Sequence, residues 1–226
     1  MMKKSKYIVL LIPMFEEFNS FFASLNVKSN PLKLGKIEGI EFELNTKKVF
    51  CTITGVGKAM SSYTLGAISS IIDIEKVINI GTAGSLKESV KPFDVVIANK
   101  LSYLDVDLTS FGYRYGQMSN CPPYFKPLIT SIKWSYDFNI HYGHIITADS
   151  FLTSSSPLMG KIKKFDEPLC IDMEGCSIAQ IAFHLNIPFI VIRTISDSLS
   201  TNNSKEHELK LEKSMVSLAN IFKEVI

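Results

Sequence analysis

Arginine is nearly missing from this 226-residue chain. Arg114 and Arg193 stand alone against 22 lysines, the 24 basic residues less these two, and the first 113 residues contain none. The lysines are scattered and the net charge is only +2, so neither a nucleic acid nor an anionic membrane is implied as a partner. Cysteine is also sparse. Cys51, Cys121, Cys170 and Cys176 form no C-x-x-C pair and no ligand-like spacing with histidine, which excludes a disulfide framework and points to a reducing compartment. His141, His144 and His184 have no metal-like spacing, so no metal and no cofactor is expected. No apolar run approaches the length of a membrane span, roughly 20 residues. Lys3, Lys4 and Lys6 precede the apolar run Tyr7 to Ile12, as in a secretory signal. That run stops at Pro13, and Glu16 and Glu17 follow at once, so it reads as a buried first strand and the protein as cytoplasmic.

What is present is an ordinary globular composition, 46% hydrophobic and 20% charged. There is no repeat, no low-complexity tract and no linker, so one domain over 1–226 is expected. Candidate strands are Tyr7 to Ile12, Val49 to Thr54, Lys76 to Ile80, Asp94 to Leu101, Gly143 to Thr147 and Pro188 to Ile195. Each is rich in Ile and Val and bounded by Gly, Pro or Asp. Candidate helices run roughly over 15–25, 58–72, 124–138, 155–164, 173–185 and 205–225. In the last of these, Leu209, Leu211, Met215, Leu218 and Ile221 share one face. The alternation predicts an α/β fold with a central mixed, largely parallel sheet flanked by helices. A hairpin near 36–54, with Gly39 at its turn, adds an antiparallel part. The polar stretch Ser198 to Lys205 reads as a loop.

Ligands of open α/β sheets sit at the carboxyl ends of the strands. The stretches to inspect are therefore Met14 to Glu17, Gly55 to Lys58, Gly81 to Ser85, Tyr103 to Gln117, Asp149 to Leu152, and Ser196 with Asp197. Gly55-Val56-Gly57-Lys58 is neither G-x-G-x-x-G nor a phosphate-binding Walker loop, and reads as a tight strand-to-helix turn. Gly81-Thr82-Ala83-Gly84 reads as a second such turn, with N–H groups and a hydroxyl free for a ligand. Three carboxylates, Glu17, Glu174 and Asp197, fall past strand ends or at a helix start. Glu17 and Glu174 also suit a helix N-terminus on electrostatic grounds alone. Together, three such groups meet the needs of N-glycosidic cleavage: an acid for the leaving base, a base for water, and a partner for ribose hydroxyls. The acid requires a raised pKa, which burial provides.

The segments Asp172-Met-Glu-Gly-Cys-Ser-Ile-Ala-Gln180 and Pro188-Phe-Ile-Val-Ile-Arg-Thr-Ile-Ser-Asp197 resemble the signature of the purine nucleoside phosphorylase superfamily. With Pro13-Met-Phe-Glu-Glu17, Gly55-Val-Gly-Lys58, Asn79-Ile-Gly-Thr-Ala-Gly84, Phe111-Gly-Tyr-Arg-Tyr-Gly-Gln117 and Ala148-Asp-Ser-Phe151, the chain more closely resembles bacterial 5′-methylthioadenosine/S-adenosylhomocysteine nucleosidases. The resemblance spans nearly the whole chain and keeps the family's order and spacing.

That resemblance implies a set of roles. Asp197 protonates adenine N7 and Ser196 orients it. Glu17 positions and activates the attacking water. Glu174 binds the ribose hydroxyls, Met173 packs on the ribose and Arg193 sits nearby. Thr82 stands where the family usually has Ser. Phe151 stacks on adenine and the backbone of Leu152 reads its edge. Met14 and Val56 line the pocket for the sulfur substituent. Leu108, Phe111 and Tyr113 reach into a neighbouring subunit's site, which implies a homodimer. His207 stands where an aromatic residue often closes the alkylthio pocket, and Ala148 and Gly175-Cys176 also depart from the common pattern.

Within that superfamily the nucleophile is phosphate or water. Phosphorylases hold phosphate with arginines, whose planar fork matches its oxygens. Here arginine is scarce, and Met14-Phe-Glu-Glu17 replaces the Gly-Asp and Arg pattern of related phosphorylases. A glutamate there repels phosphate and suits water. The expectation is a hydrolase of 5′-methylthioadenosine and S-adenosylhomocysteine. The alternatives are a hydrolase of another adenine nucleoside such as aminofutalosine or 5′-deoxyadenosine, a phosphorylase, or a non-catalytic nucleoside-binding or adhesive protein. Retention of all three carboxylates speaks against the last.

Overall fold

The computed structural model describes residues 6–128, 137–198 and 204–226, with side chains described for 6–128, 137–196 and 211–226. In chain order the elements are β1 (Tyr7–Ile12), α1 (Phe15–Leu25), β2 (Asn30–Leu34), β3 (Ile37–Leu44) and β4 (Lys47–Ile53). They continue with α2 (Lys58–Ser69), β5 (Ile74–Ser85), β6 (Val95–Tyr103), β7 (Ile140–Thr147) and β8 (Pro168–Asp172). The chain closes with α3 (Gly175–His184), β9 (Phe189–Ser198) and α4 (Ser204–Val225). Among the described residues no helix is long and apolar enough to cross a membrane.

The strands form one mixed sheet in the order β2-β3-β4-β1-β5-β8-β7-β6-β9, and β9 also pairs with β5. Five strands, β5, β8, β7, β6 and β9, thus close into a ring, and β4, β3 and β2 extend the sheet beyond β1. The pairs β1–β4, β1–β5, β5–β9, β6–β7 and β7–β8 are parallel. The parallel centre explains the unbroken apolar runs: helices cover both faces, so both sets of side chains are buried. In β1, Val9 and Leu11 join the core under α2 and α3, whereas Ile8, Leu10 and Ile12 join the core under α1 and α4. The second core is sealed by aromatic rings, with Phe21 of α1 edge-on to Phe222 of α4.

Several sequence expectations need correction. The turn within 36–54 is at Asn45-Thr46, a second at Gly35-Lys36 precedes β3, and Gly39 lies mid-strand opposite Leu32. Gly39 is there for close approach: a Cβ would meet the Cys51 carbonyl oxygen at 2.4 Å and the Phe50 ring at 2.7 Å. Gly81 to Gly84 is part of β5, because pairing with β9 carries the strand through its glycines. Asp197 likewise lies inside β9 and not beyond it. The expected helix over 155–164 is a short 3-10 turn at Met159–Lys164. Of the expected helix over 124–138, residues 129–136 lie outside the described residues. Its start is extended, with Phe125 bridged to Leu101, and Pro127 disfavours helix at Lys126. The short strands β2 and β8 were not anticipated.

Candidate active site

The carboxyl ends of β1, β5 and β9 lie side by side and point the same way. Glu17 enters from the first turn of α1 and is buried, 1% exposed. Its Oε2 accepts the Met14 N–H at 3.2 Å, one of the donors that a helix start leaves free. Its Oε1 accepts both the N–H and the hydroxyl of Thr82, at 2.8 and 2.9 Å. Gly81 leaves room for the carboxylate, since a Cβ there would stand 3.3 Å from Oε1. Burial pushes the Glu17 carboxyl above its ordinary range, although the Thr82 and Met14 hydrogen bonds and the Arg193 charge oppose the shift. One side chain thus both caps the start of α1 and sits buried against Thr82 at the end of β5.

Glu174 is the residue immediately before α3 and is also buried. Its Oε1 accepts the Gly57 N–H at 2.9 Å, and its Oε2 lies 3.7 Å from Nη2 of Arg193. Gly57 adopts φ +95, a left-handed value that suits glycine, and this aims its N–H at the carboxylate. Burial is the main cause pushing Glu174 up to about 7; Arg193 opposes it, and the negative charges of Asp172 and Glu17 add to it.

Arg193 is fully buried. Its Nε and Nη2 contact Asp172 Oδ2 at 2.9 and 2.7 Å, Nη2 donates to Asn79 Oδ1 at 2.5 Å, and Nη1 donates to the Ile192 carbonyl at 3.2 Å. Asp172 in turn accepts the Thr147 hydroxyl at 2.5 Å and the Gly175 N–H at 3.0 Å. A buried charge of this kind persists because each guanidinium nitrogen has a partner. The guanidinium is committed to ordering carboxylates. The other arginine, Arg114, is solvent-exposed.

The remaining expected residues fall as follows. Met14, Thr82, Met173 and Ser196 are half-buried, Leu152 is buried, and Val56 and Phe151 are exposed at 48% and 74%. Ser196 sits at an irregularity in β9: Ile195 pairs with Ala83 and Asp197 with Gly84, so Ser196 is the extra residue. Such a bulge re-aims neighbouring side chains. The backbone of Asp197 is thereby placed two residues along β5 from Thr82, while its side chain and that of His207 lie outside the described residues. Leu108 and Tyr113 are half-buried and Phe111 is 78% exposed on the segment after β6, away from any buried role in this chain.

Sequence reasoning missed Asn79 and Asp172 as organisers of the site. The available signal was a polar residue inside each of two apolar runs, Val77 to Ile80 and Pro168 to Asp172. It also missed the ion cluster of Lys58, Asp105 and Asp149 beside the Gly57 turn. Among the described residues there is no cluster of three or more metal-ligating side chains.

The chain matches the family model described as the phosphorylase superfamily over residues 7–226. It is 35% identical over 187 residues to the 5′-methylthioadenosine/S-adenosylhomocysteine nucleosidase of Buchnera aphidicola subsp. Schizaphis graminum (strain Sg), with 79% of each chain covered. The structure of the S. pneumoniae nucleosidase of that name with a transition-state inhibitor, MT-ImmA, superposes with a TM-score of 0.83 at 30% identity, covering 96% of both chains. The Neisseria meningitidis nucleosidase in complex with methylthio-immucillin-A gives a TM-score of 0.85 at 26% identity, covering 97% of this chain and 98% of that one.

Proposed function

This chain belongs to the phosphorylase superfamily, and from that premise we propose that it hydrolyses the N-glycosidic bond of 5′-methylthioadenosine and S-adenosylhomocysteine. The products are adenine and the corresponding thioribose. The observation that carries the choice of water over phosphate is the state of the arginines. Arg193 is engaged by Asp172, Asn79 and the Ile192 carbonyl, Arg114 is solvent-exposed, and the buried Glu17 carboxylate repels phosphate where water would sit.

In this reading Glu17 accepts a proton from water as the oxygen attacks the anomeric carbon. Its raised pKa makes it a stronger base than an exposed carboxylate. Glu174 accepts hydrogen bonds from the ribose hydroxyls, with Arg193 holding it in place and Met173 packed on the sugar. Asp197 donates its proton to N7 of adenine as the C–N bond breaks, and Ser196 orients it. The positive charge that develops on the sugar is offset by the two buried carboxylates. Phe151 stacks on the base, the Leu152 backbone reads its edge, and Met14 and Val56 flank the sulfur substituent. No cofactor takes part.

The same reading makes the protein a cytoplasmic homodimer, with 1–226 as one nucleosidase domain. Leu108, Phe111 and Tyr113 then complete the partner's site. Support comes from the exposed apolar side chains Val56, in the turn before α2, Met60 and Tyr63, three residues apart and so on one face of α2, and Phe111, 78% exposed.

The test is adenine release from a substrate panel in phosphate-free buffer. Turnover of methylthioadenosine and S-adenosylhomocysteine without phosphate is expected. A strict phosphate requirement overturns hydrolysis, and turnover confined to aminofutalosine or 5′-deoxyadenosine reassigns the substrate.

A further inference from the structure

Beside the Gly57 turn three charged side chains converge from three separate elements. Lys58 opens α2, Asp105 follows β6, and Asp149 follows β7. The Lys58 ammonium contacts both Asp105 oxygens at 2.8 Å and Asp149 Oδ2 at 3.6 Å. The Lys58 backbone N–H donates to Asp149 Oδ1 at 2.7 Å, and the Asp149 N–H donates to Asp105 Oδ2 at 3.0 Å. The Lys58 and Asp105 side chains are only 23% and 19% exposed, and the ammonium also lies 5.4 Å from the centre of the Tyr103 ring. A lone surface ion pair stabilises little, but here one ammonium separates two carboxylates and two backbone donors complete the cage.

What the cluster adjoins gives it meaning. Asp149 is two and three residues ahead of Phe151 and Leu152. The Gly55 to Lys58 turn carries Val56. Its successive N–H groups at positions 57 and 58 go to Glu174 and to Asp149. One turn therefore anchors the carboxylate assigned to the ribose and the loop assigned to the base. We propose that Lys58, through Asp105 and Asp149, is a positioning residue that holds the adenine loop 149–152 in register with the Glu174 turn, and so determines affinity for the nucleoside. The inference rests on the function given above. Without the ammonium the two carboxylates face each other unscreened, and the base loop is left to the Lys58 backbone N–H, a single bond that no longer fixes its register with the turn.

The experiment compares wild type, K58M and K58R on methylthioadenosine, with adenine binding by calorimetry and thermal melts alongside. Misplacing substrate-positioning groups is costly, so K58M is expected to raise KM and the adenine Kd together by about tenfold, with kcat within about threefold. K58R keeps a cation on the same stem and is expected to recover most of both. A folded K58M whose KM and adenine Kd stay within about twofold of wild type overturns the inference, as does a fall in kcat alone. If K58M does not fold, D149N removes the charge at constant volume: the same rise in KM is expected, and an unchanged KM overturns the inference. Wild-type turnover with indifferent variants defeats this proposal only. Absence of wild-type adenine release defeats the proposed function, and this inference with it.

Discussion

One oxygen of Glu17 takes both hydrogens that Thr82 can offer, its backbone N–H at 2.8 Å and its hydroxyl at 2.9 Å. The backbone bond survives any substitution at 82 other than proline, so the hydroxyl can be tested alone. T82V keeps the shape and removes the O–H. A hydrogen bond to a charged group contributes about 1.5–3 kcal/mol, so kcat is expected to fall about tenfold or more, with T82S close to wild type. Equal rates for T82V and wild type would show that the hydroxyl does not position Glu17.

The proposed acid and base are separable by isosteric variants. D197N is expected to abolish adenine release while the protein still melts cooperatively, because it removes a proton and almost no volume. E17Q is expected to lower kcat more than affinity, the pattern of a group acting mainly in the transition state. Full activity in D197N removes Asp197 from the chemistry, and loss of substrate binding in E17Q makes Glu17 structural.

Glu174 gives a pH signature. Its carboxyl is pushed up to about 7, from an ordinary 4.5, chiefly by burial. If the ionised form binds ribose, kcat/KM falls as pH drops below about 7. Stability moves the other way. Between 4.5 and about 7 the folded protein holds a proton that the unfolded chain has released, so this group makes stability decline as pH rises through that window. E174Q is expected to flatten that part of the melting-temperature profile. A profile unchanged by E174Q contradicts the assignment.

Gly175 tests the buried network. A Cβ there would lie 2.4 Å from Asp172 Oδ2 and 3.0 Å from Leu101 Cδ2, and the oxygen cannot retreat without loosening Arg193. G175A is expected to destabilise by about 1–3 kcal/mol, as overpacked cores do. Urea denaturation measures it, and a loss below about 0.5 kcal/mol means that the site relaxes freely.

How much of this was legible in the sequence depended on range. Runs such as Tyr7 to Ile12 and the amphipathic stretch ending at Val225 carry their period locally, and β1, α1 and α4 follow it. Gly81 to Gly84 misled because glycine weakens a strand locally, yet pairing with β9 outweighs that preference. Asp197 stands past the apolar run that ends at Ile195, yet the ladder to Gly84 keeps it inside β9. The carboxylates Glu17 and Glu174 were visible from their positions. Their partners were not, because Thr82, Gly57 and Arg193 meet them across 65, 117 and 19 positions of chain (82 less 17, 174 less 57, 193 less 174). The Lys58 cluster was hidden likewise, its members lying 47 and 91 positions from Lys58.

The return of β9 to β5 has a further consequence for how other chains can meet this one. A sheet that closes on itself leaves no unpaired strand at that end. The opposite end stops at β2, which pairs with β3 alone and carries Pro31, a residue without an N–H to donate. Among the described strands, the border open to a foreign strand is thus β2, short and with one donor fewer at Pro31. An added β-segment or fused module belongs there, on the far side of β1 from the strands that close the ring.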